Sequence, residues 1–445
     1  MQKAHEEQAQ KTNPDAAVSE FQTGEKVRTM KTRSQCRSGV SFFERLPSEV
    51  FDMILRRLTV LEVSVFSMVS KAMSCQIVDH VSTMAWAKRM IPQNFHHSRF
   101  PDDKQSTYRH YKALGLLFKR CTLLLPTKDR LKFIHTKFSK IPCFMMQCKP
   151  TAASCLGFSS YGVFLQTLIA GWNELECHRV FIFLCDFTDL PRKMEIVVNG
   201  RPGASRYLEL QIRQFCRQVL LDPWSSRKEC GFWLTQILKP WPMVSQARLL
   251  FILYGPLLPD GSLGWQQLTS TVLSSSALSD LAKAVLLLHT DLELKDWNTS
   301  TILAILEEIR VLPQVWRVEN VARLLVLCGT TLCYSVLANK AHNGRLFEIS
   351  KLLVYLILVC EKDGYCMSWV VTLVQQVCKV FTAAADKWSF IQSLENMFSE
   401  VTMEIYEASL AGNPQEDLES FQTLCSILGS SAHFHTEILH MFLKE

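Results

Sequence analysis

The chain has 445 residues, 48% hydrophobic and 20% charged, with a formal net charge of +6. That hydrophobic content excludes wholesale disorder, and the length allows two to four domains or one small domain with a long repeat-like body. With only 17 Gly and 16 Pro, an all-β chain rich in tight turns is disfavoured, and Leu-rich text with few breakers points to helices.

Residues 1–40 have few apolar residues and mixed charges, and read as a disordered tail. Apolar periodicity begins at Phe42, and 41–90 reads as a three-helix unit. Its first helix follows Leu46-Pro47 and carries Val50, Phe51, Ile54, Leu55 and Leu58 on one broad stripe. Pro47 suits a first turn, where its missing N–H is no loss. A second helix, about Leu61–Met73, carries Val65, Phe66, Met68 and Val69. A third, about Gln76–Lys88, carries Ile77, Val81, Met84 and Trp86. Residues 91–106, IPQNFHHSRFPDDKQS, read as a linker.

From 107 to 445 helical segments follow one another, separated by Pro, Asn-Gly and Gly breaks such as Pro126, Pro191, Pro223, Pro313, Asn343-Gly344 and Gly364. Val180–Leu184 and Ile196–Val198 admit a strand, but their neighbours favour helix. No fixed period and no TPR, ankyrin, leucine-rich, WD or kelch signature recurs. The expected fold is therefore all-α: a disordered tail, a three-helix unit, then a long irregular solenoid-like array, HEAT- or armadillo-like in a loose sense.

The modest net charge hides an uneven distribution. Residues 88–140 hold thirteen Lys/Arg against three Asp/Glu, and 384–445 hold two Lys against ten Asp/Glu. Lys119, Arg120, Lys128, Arg130, Lys132, Lys137 and Lys140 read first as solvated helix faces. Their other reading is a basic surface for an acidic protein, or, less favoured, nucleic acid. The dispersed cations of 26–37 make a weak nuclear-import signal. Two uncharged stretches, 150–173 and 324–339, are too polar or too short for a membrane span and read as buried helices. The 16 cysteines contain no C-x-x-C pair, and even Cys143/Cys148 lacks zinc-finger spacing. Without a secretory signal they read as reduced, buried small hydrophobes, with no metal and no cofactor expected.

The pattern Leu46-Pro47-x-Glu49, Ile54-Leu55, Leu58, Val69-Ser70-Lys71 and Trp86 resembles the F-box. Glu62 stands where Asp is usual, and Met73 where many members have Trp. Four further strings, at 116–135, 164–180, 232–250 and 359–369, are similar to a vertebrate group within that family, extending the resemblance over most of 42–445. It implies docking onto Skp1, and through it cullin-1, by Leu46, Pro47, Val50, Ile54, Leu55 and Leu58, with Val69 and Trp86 in the F-box core. The plainer reading of each is core packing. The helical region 107–445 would hold an unknown protein substrate near a ubiquitin-charged enzyme, with no bond chemistry of its own. The alternative is a non-degradative helical scaffold that keeps the F-box only as a Skp1 anchor.

Enzymatic readings are poor. Cys177 and His178 are adjacent and diverge by about 100° on a helix. His96-His97 with Asp102-Asp103 read as a solvated loop, and no P-loop, G-x-S-x-G or H-E-x-x-H string occurs. The expected setting is intracellular, in the nucleus, the cytoplasm or both.

Overall fold

The computed structural model describes residues 43, 46–92, 95, 104–148, 155–290, 297–411 and 416–444. The expected tail, His96-His97 and Asp102-Asp103 lie outside them. The chain divides into two compact units, one ending at Phe51 and one running from Asp52. In chain order the helices are α1 (Ser48–Arg57), α2 (Val60–Phe66), α3 (Lys71–Ser82), α4 (Met84–Met90), α5 (Lys104–Cys121), α6 (Thr127–Phe138) and α7 (Leu156–Ile169). They continue as α8 (Glu174–Thr188), α9 (Leu190–Asn199) and α10 (Arg206–Phe215), which runs into a π-helical turn, Cys216–Leu221. Then come α11 (Arg227–Leu238), α12 (Met243–Tyr254), the single turn α13 (Gln267–Ser270), α14 (Ser275–Thr290), α15 (Thr299–Ile309) and α16 (Val318–Cys328). The last are α17 (Thr330–His342), α18 (Leu346–Asp363), α19 (Met367–Cys378), α20 (Ala384–Ala411) and α21 (Glu416–Lys444). Among the described residues the only β-feature is one isolated bridge, Leu257 to Leu263. Val180–Leu184 and Ile196–Val198 are helical.

The F-box-like segment has four helices where the sequence suggests three. Local capping is the reason. Ser70 accepts the Met73 N–H and starts α3 early, while Thr83 accepts the Trp86 N–H and starts α4. The expected second helix, to Met73, is therefore cut at Phe66, and the expected third is cut at Thr83. At α2 the Thr59 hydroxyl accepts the Glu62 N–H while the Glu62 carboxylate accepts the Thr59 N–H, a reciprocal capping box. The Glu62 side chain reaches back over three residues to close the box.

Helices α2 to α4 are fastened directly to the helical body. Helix α2 packs on α5, and the Trp86 ring lies 6.3 Å from that of Phe118. Arg120 donates to the buried Ser64 hydroxyl at 2.7 Å. Of the expected linker, Ile91 and Phe95 are buried, and Phe95 contacts the rings of Tyr111 and Phe144. Apolar side chains at 91 and 95 anchor the stretch despite its polar composition.

Beyond α9 the helices stack in two layers. In one, α10 packs on α12, α12 on α14, α14 on α16, α16 on α18 and α18 on α20. In the other, α15 packs on α17, α17 on α19 and α19 on α21. Sequential helices cross between layers, as α16 to α17 and α17 to α18 do. Each helix thus closes the core of its neighbours, which is the logic of a helical solenoid. Small residues permit close approach: a Cβ at Gly162 on α7 would fall on the Gln218 carbonyl of the π-helical turn.

Polar side chains set the register of the stack. The buried Asn320 side chain donates to the Leu268 and Thr271 carbonyls at 2.9 and 2.8 Å and accepts the Leu273 N–H. Arg323 holds Asp363 with two bonds, 2.8 and 3.2 Å, and donates to the Leu273 carbonyl. Burial alone would raise the Asp363 carboxyl, but the Arg323 and Ser275 hydrogen bonds and nearby cations hold it below the usual range. These bonds tie α14, α16 and α18 together.

The stretch Val318–His342 is long and apolar enough to cross a membrane by length and composition, yet 61% of its most apolar window is buried inside the fold. The sequence suggests one buried helix over 324–339. The structure instead breaks it at Gly329, whose φ of 80° a side chain would oppose.

Candidate partner-binding site

On α1, Phe51 and Leu55 are buried, Val50, Ile54 and Leu58 are half-buried, and Met53 is exposed. Ahead of the helix Leu46 is half-buried and Pro47 exposed. Leu55 is 0% exposed and has no surface to offer a partner; it belongs to the core. Leu46, Pro47, Val50, Ile54 and Leu58 retain exposed surface.

On α2, Val60, Val63 and Ser64 face inward while Leu61 and Val65, one turn apart, face solvent. Met68 and Val69 continue the exposed series. Val69 is 64% exposed, so its expected place in the core is corrected: it lies in the turn after α2, just before Ser70 caps the next helix. Trp86, by contrast, is 2% exposed. Sequence reasoning misses Leu61, Val65, Met68 and Val69 as surface residues, because an apolar period alone does not say which stripe of a short helix is covered. Four of the nine residues 61–69 expose large apolar side chains. The Asp52 carboxylate lies 2.7 Å from Nδ1 of the buried His80 on α3.

The seven basic candidates divide. Arg130 is buried, donating to the Thr122 and Leu123 carbonyls at the end of α5 while its guanidinium covers the Trp172 ring at 4.5 Å. It satisfies helix-end carbonyls rather than facing a partner. Lys119 donates to the Ala170 carbonyl, Arg120 to Ser64 and Lys137 to the Ser82 carbonyl. Lys128, Lys132 and Lys140 are exposed. An open pocket of about 600 Å³ brings Lys88 and Arg89 of α4 together with Lys137 and Lys140.

Cys177 and His178 do not pair. The Cys177 thiol donates to the Trp172 carbonyl, and burial pushes it up to about 11, while His178 meets Gln236 at 2.7 Å. Among the described residues no cysteine is in a disulfide. Three of them depart from the expected scatter: the thiol sulfurs of Cys143, Cys148 and Cys155 all lie within 4.8 Å of one another, and all three residues are buried. Cys143 and Cys148 stand at C-x4-C spacing, at the wide end of the zinc-ligand range, but only the folded chain reveals that Cys155 joins them.

An F-box-like helical segment fastened to a two-layer helical stack defines a class: an F-box protein with an armadillo-type body. A family model described as "FBXO47, ARM repeats" matches residues 186–443. The F-box only protein 47 of Mus musculus is 48% identical over 419 residues, covering 94% of this chain and 93% of the relative. That of Homo sapiens is 46% identical over 405 residues, covering 90% and 89%. The chain belongs to the F-box only protein 47 family. No solved structure matches it.

Proposed function

We propose that the chain is the substrate-recognition subunit of a Skp1–cullin-1–F-box ubiquitin ligase. It docks onto Skp1 through Leu46, Pro47, Val50, Ile54 and Leu58, with Leu61, Val65, Met68 and Val69 as further apolar surface. Its helical body holds a protein substrate for ubiquitination. The observation that carries the reading is solvent exposure of apolar side chains on an F-box-like segment whose core is otherwise closed. Its contribution to the reaction is effective concentration, and it acts as a non-catalytic adaptor. The setting is intracellular, in the nucleus, the cytoplasm or both.

The test is Leu46→Ala combined with Pro47→Ala. Both residues precede α1 and keep surface exposed, so the fold is retained by circular dichroism while Skp1 no longer co-purifies. Unchanged Skp1 recovery would sink the proposal. With the docking variant in cells, the substrate accumulates and loses ubiquitin.

The basic pocket of Lys88, Arg89, Lys137 and Lys140 favours a second reading, a non-degradative scaffold that takes an acidic protein segment there and uses the F-box as a Skp1 anchor. Binding would then weaken steeply with salt. Persistence of substrate turnover in a variant with Lys88 and Lys140 both changed to Glu would separate the ligase from this scaffold.

A further inference from the structure

We infer that Cys143, Cys148 and Cys155 form a structural zinc site beneath the start of α7. Their sulfurs stand 3.7 Å apart for Cys143 and Cys155 and 4.0 Å for Cys148 and Cys155, with all three mutually within 4.8 Å. Thiolates about 2.3 Å from a tetrahedral zinc ion stand about 3.8 Å from one another. A disulfide would draw two sulfurs to about 2 Å and leave the third without a role. Three converging sulfurs match three corners of a tetrahedral site.

The surrounding chain holds this geometry. After α6 the backbone coils through 139–148, with the Phe144 N–H on the Ile141 carbonyl, that of Met146 on Cys143 and that of Gln147 on Pro142. Met146 sits at φ 51°, a conformation that side chains other than Asn and Asp seldom adopt. External donors pin the coil: Lys193 to the Met146 carbonyl, and Tyr207 and Gln211 to that of Cys148. Phe144 stacks on Tyr161 of α7 at 4.0 Å. These fixed partners supply the outer support that metal ligands depend on.

Two features of α7 lie at the cluster. Cys155 is the N-cap residue but makes no side-chain cap bond, although oxygen-bearing side chains are preferred there. Two residues on, a Cβ at Gly157 would lie 2.6 Å from both Cβ and Sγ of Cys143. Glycine leaves that space to the sulfur.

Binding converts three thiols to thiolates and releases three protons to solvent as three Zn–S bonds form. The resulting site carries one net negative charge, offset by the Lys193 ammonium bonded to the same coil. Among the described residues no fourth His, Cys, Asp or Glu joins the cluster, so the fourth position would fall to a water. Neither oxidant nor reductant takes part.

The experiment is metal analysis of the full chain, purified with reductant in the presence of Zn²⁺. About one zinc per chain is expected from three thiolates and one water. Cys143→Ser, Cys148→Ser and Cys155→Ser each lose most of it, and Cys216→Ser, at a buried cysteine outside the cluster, keeps it. Should the serine variants fail to fold, the wild-type chain decides: Co²⁺ added after chelation gives thiolate-to-cobalt charge-transfer absorption that Zn²⁺ abolishes. The inference is overturned by substoichiometric zinc together with no such absorption. It is equally overturned by unchanged zinc in all three folded variants, or by a disulfide among the three in non-reducing peptide maps.

Discussion

Two residues that the F-box resemblance places alike in the core do opposite things. Trp86 is enclosed beside Phe118, whereas Val69 projects into solvent. Truncating a buried Trp removes its transfer energy and leaves a cavity the rigid surroundings fill only partly. Trp86→Ala is therefore expected to lower stability by about 3–5 kcal/mol. Val69→Ala removes a side chain already in water and should stay within about 0.5 kcal/mol. Urea titrations followed by circular dichroism compare the two, and equal losses would refute the assignment of Val69 to the surface. The same contrast separates Leu55 from Ile54, neighbours on α1 whose exposures differ. Periodicity places both on one stripe, and only packing shows that the stripe has a covered centre and an open edge.

At the level of helices, the stack depends on buried polar links as much as on apolar seams. The two bonds from Arg323 to Asp363 join α16 to α18, and Arg323 is itself almost fully enclosed. Asp363→Asn leaves that guanidinium with Glu319, 3.6 Å away, as its remaining counter-charge, so a loss of about 1–3 kcal/mol is expected. Because Asp363 in the folded chain sits below its unfolded value, its stabilisation is complete above the ordinary carboxylate pKa of about 4. It drains away as pH falls through the folded value. The wild-type melting temperature should consequently fall more steeply in acid than that of Asp363→Asn, and parallel acid profiles would contradict this account. Most helices are legible from sequence because apolar residues at 3.6-residue spacing survive any order of packing. Their ends are not. Thr83 reads as an ordinary polar position until its hydroxyl is seen capping the Trp86 amide, and Gly329 interrupts an apolar run that composition alone treats as continuous.

For the molecule as a whole, the all-α class and the F-box resemblance are readable in the sequence, while the two-layer order is not. No period repeats, because each helix is fitted to its own neighbours: Asn320 serves one joint, Lys340 another through Glu307 and Glu348. The thiol cluster is hidden for a related reason. Cys148 reaches the others only because the coil after α6 turns back on α7, a long-range outcome that local spacing does not encode. The fastening of α2 and α4 onto α5 has a practical corollary for anyone dissecting the chain. Excising residues 52–90 would unroof α5 and strip the indole from Phe118, presenting an apolar face to water. The shortened polypeptide should collect mainly in the insoluble fraction on centrifugation of the lysate, where the full chain does not. A truncated bait that recovers no partner would then report collapse of the bait rather than a missing handle, and recovery of soluble, cooperatively melting shortened chain would show that the joint is dispensable.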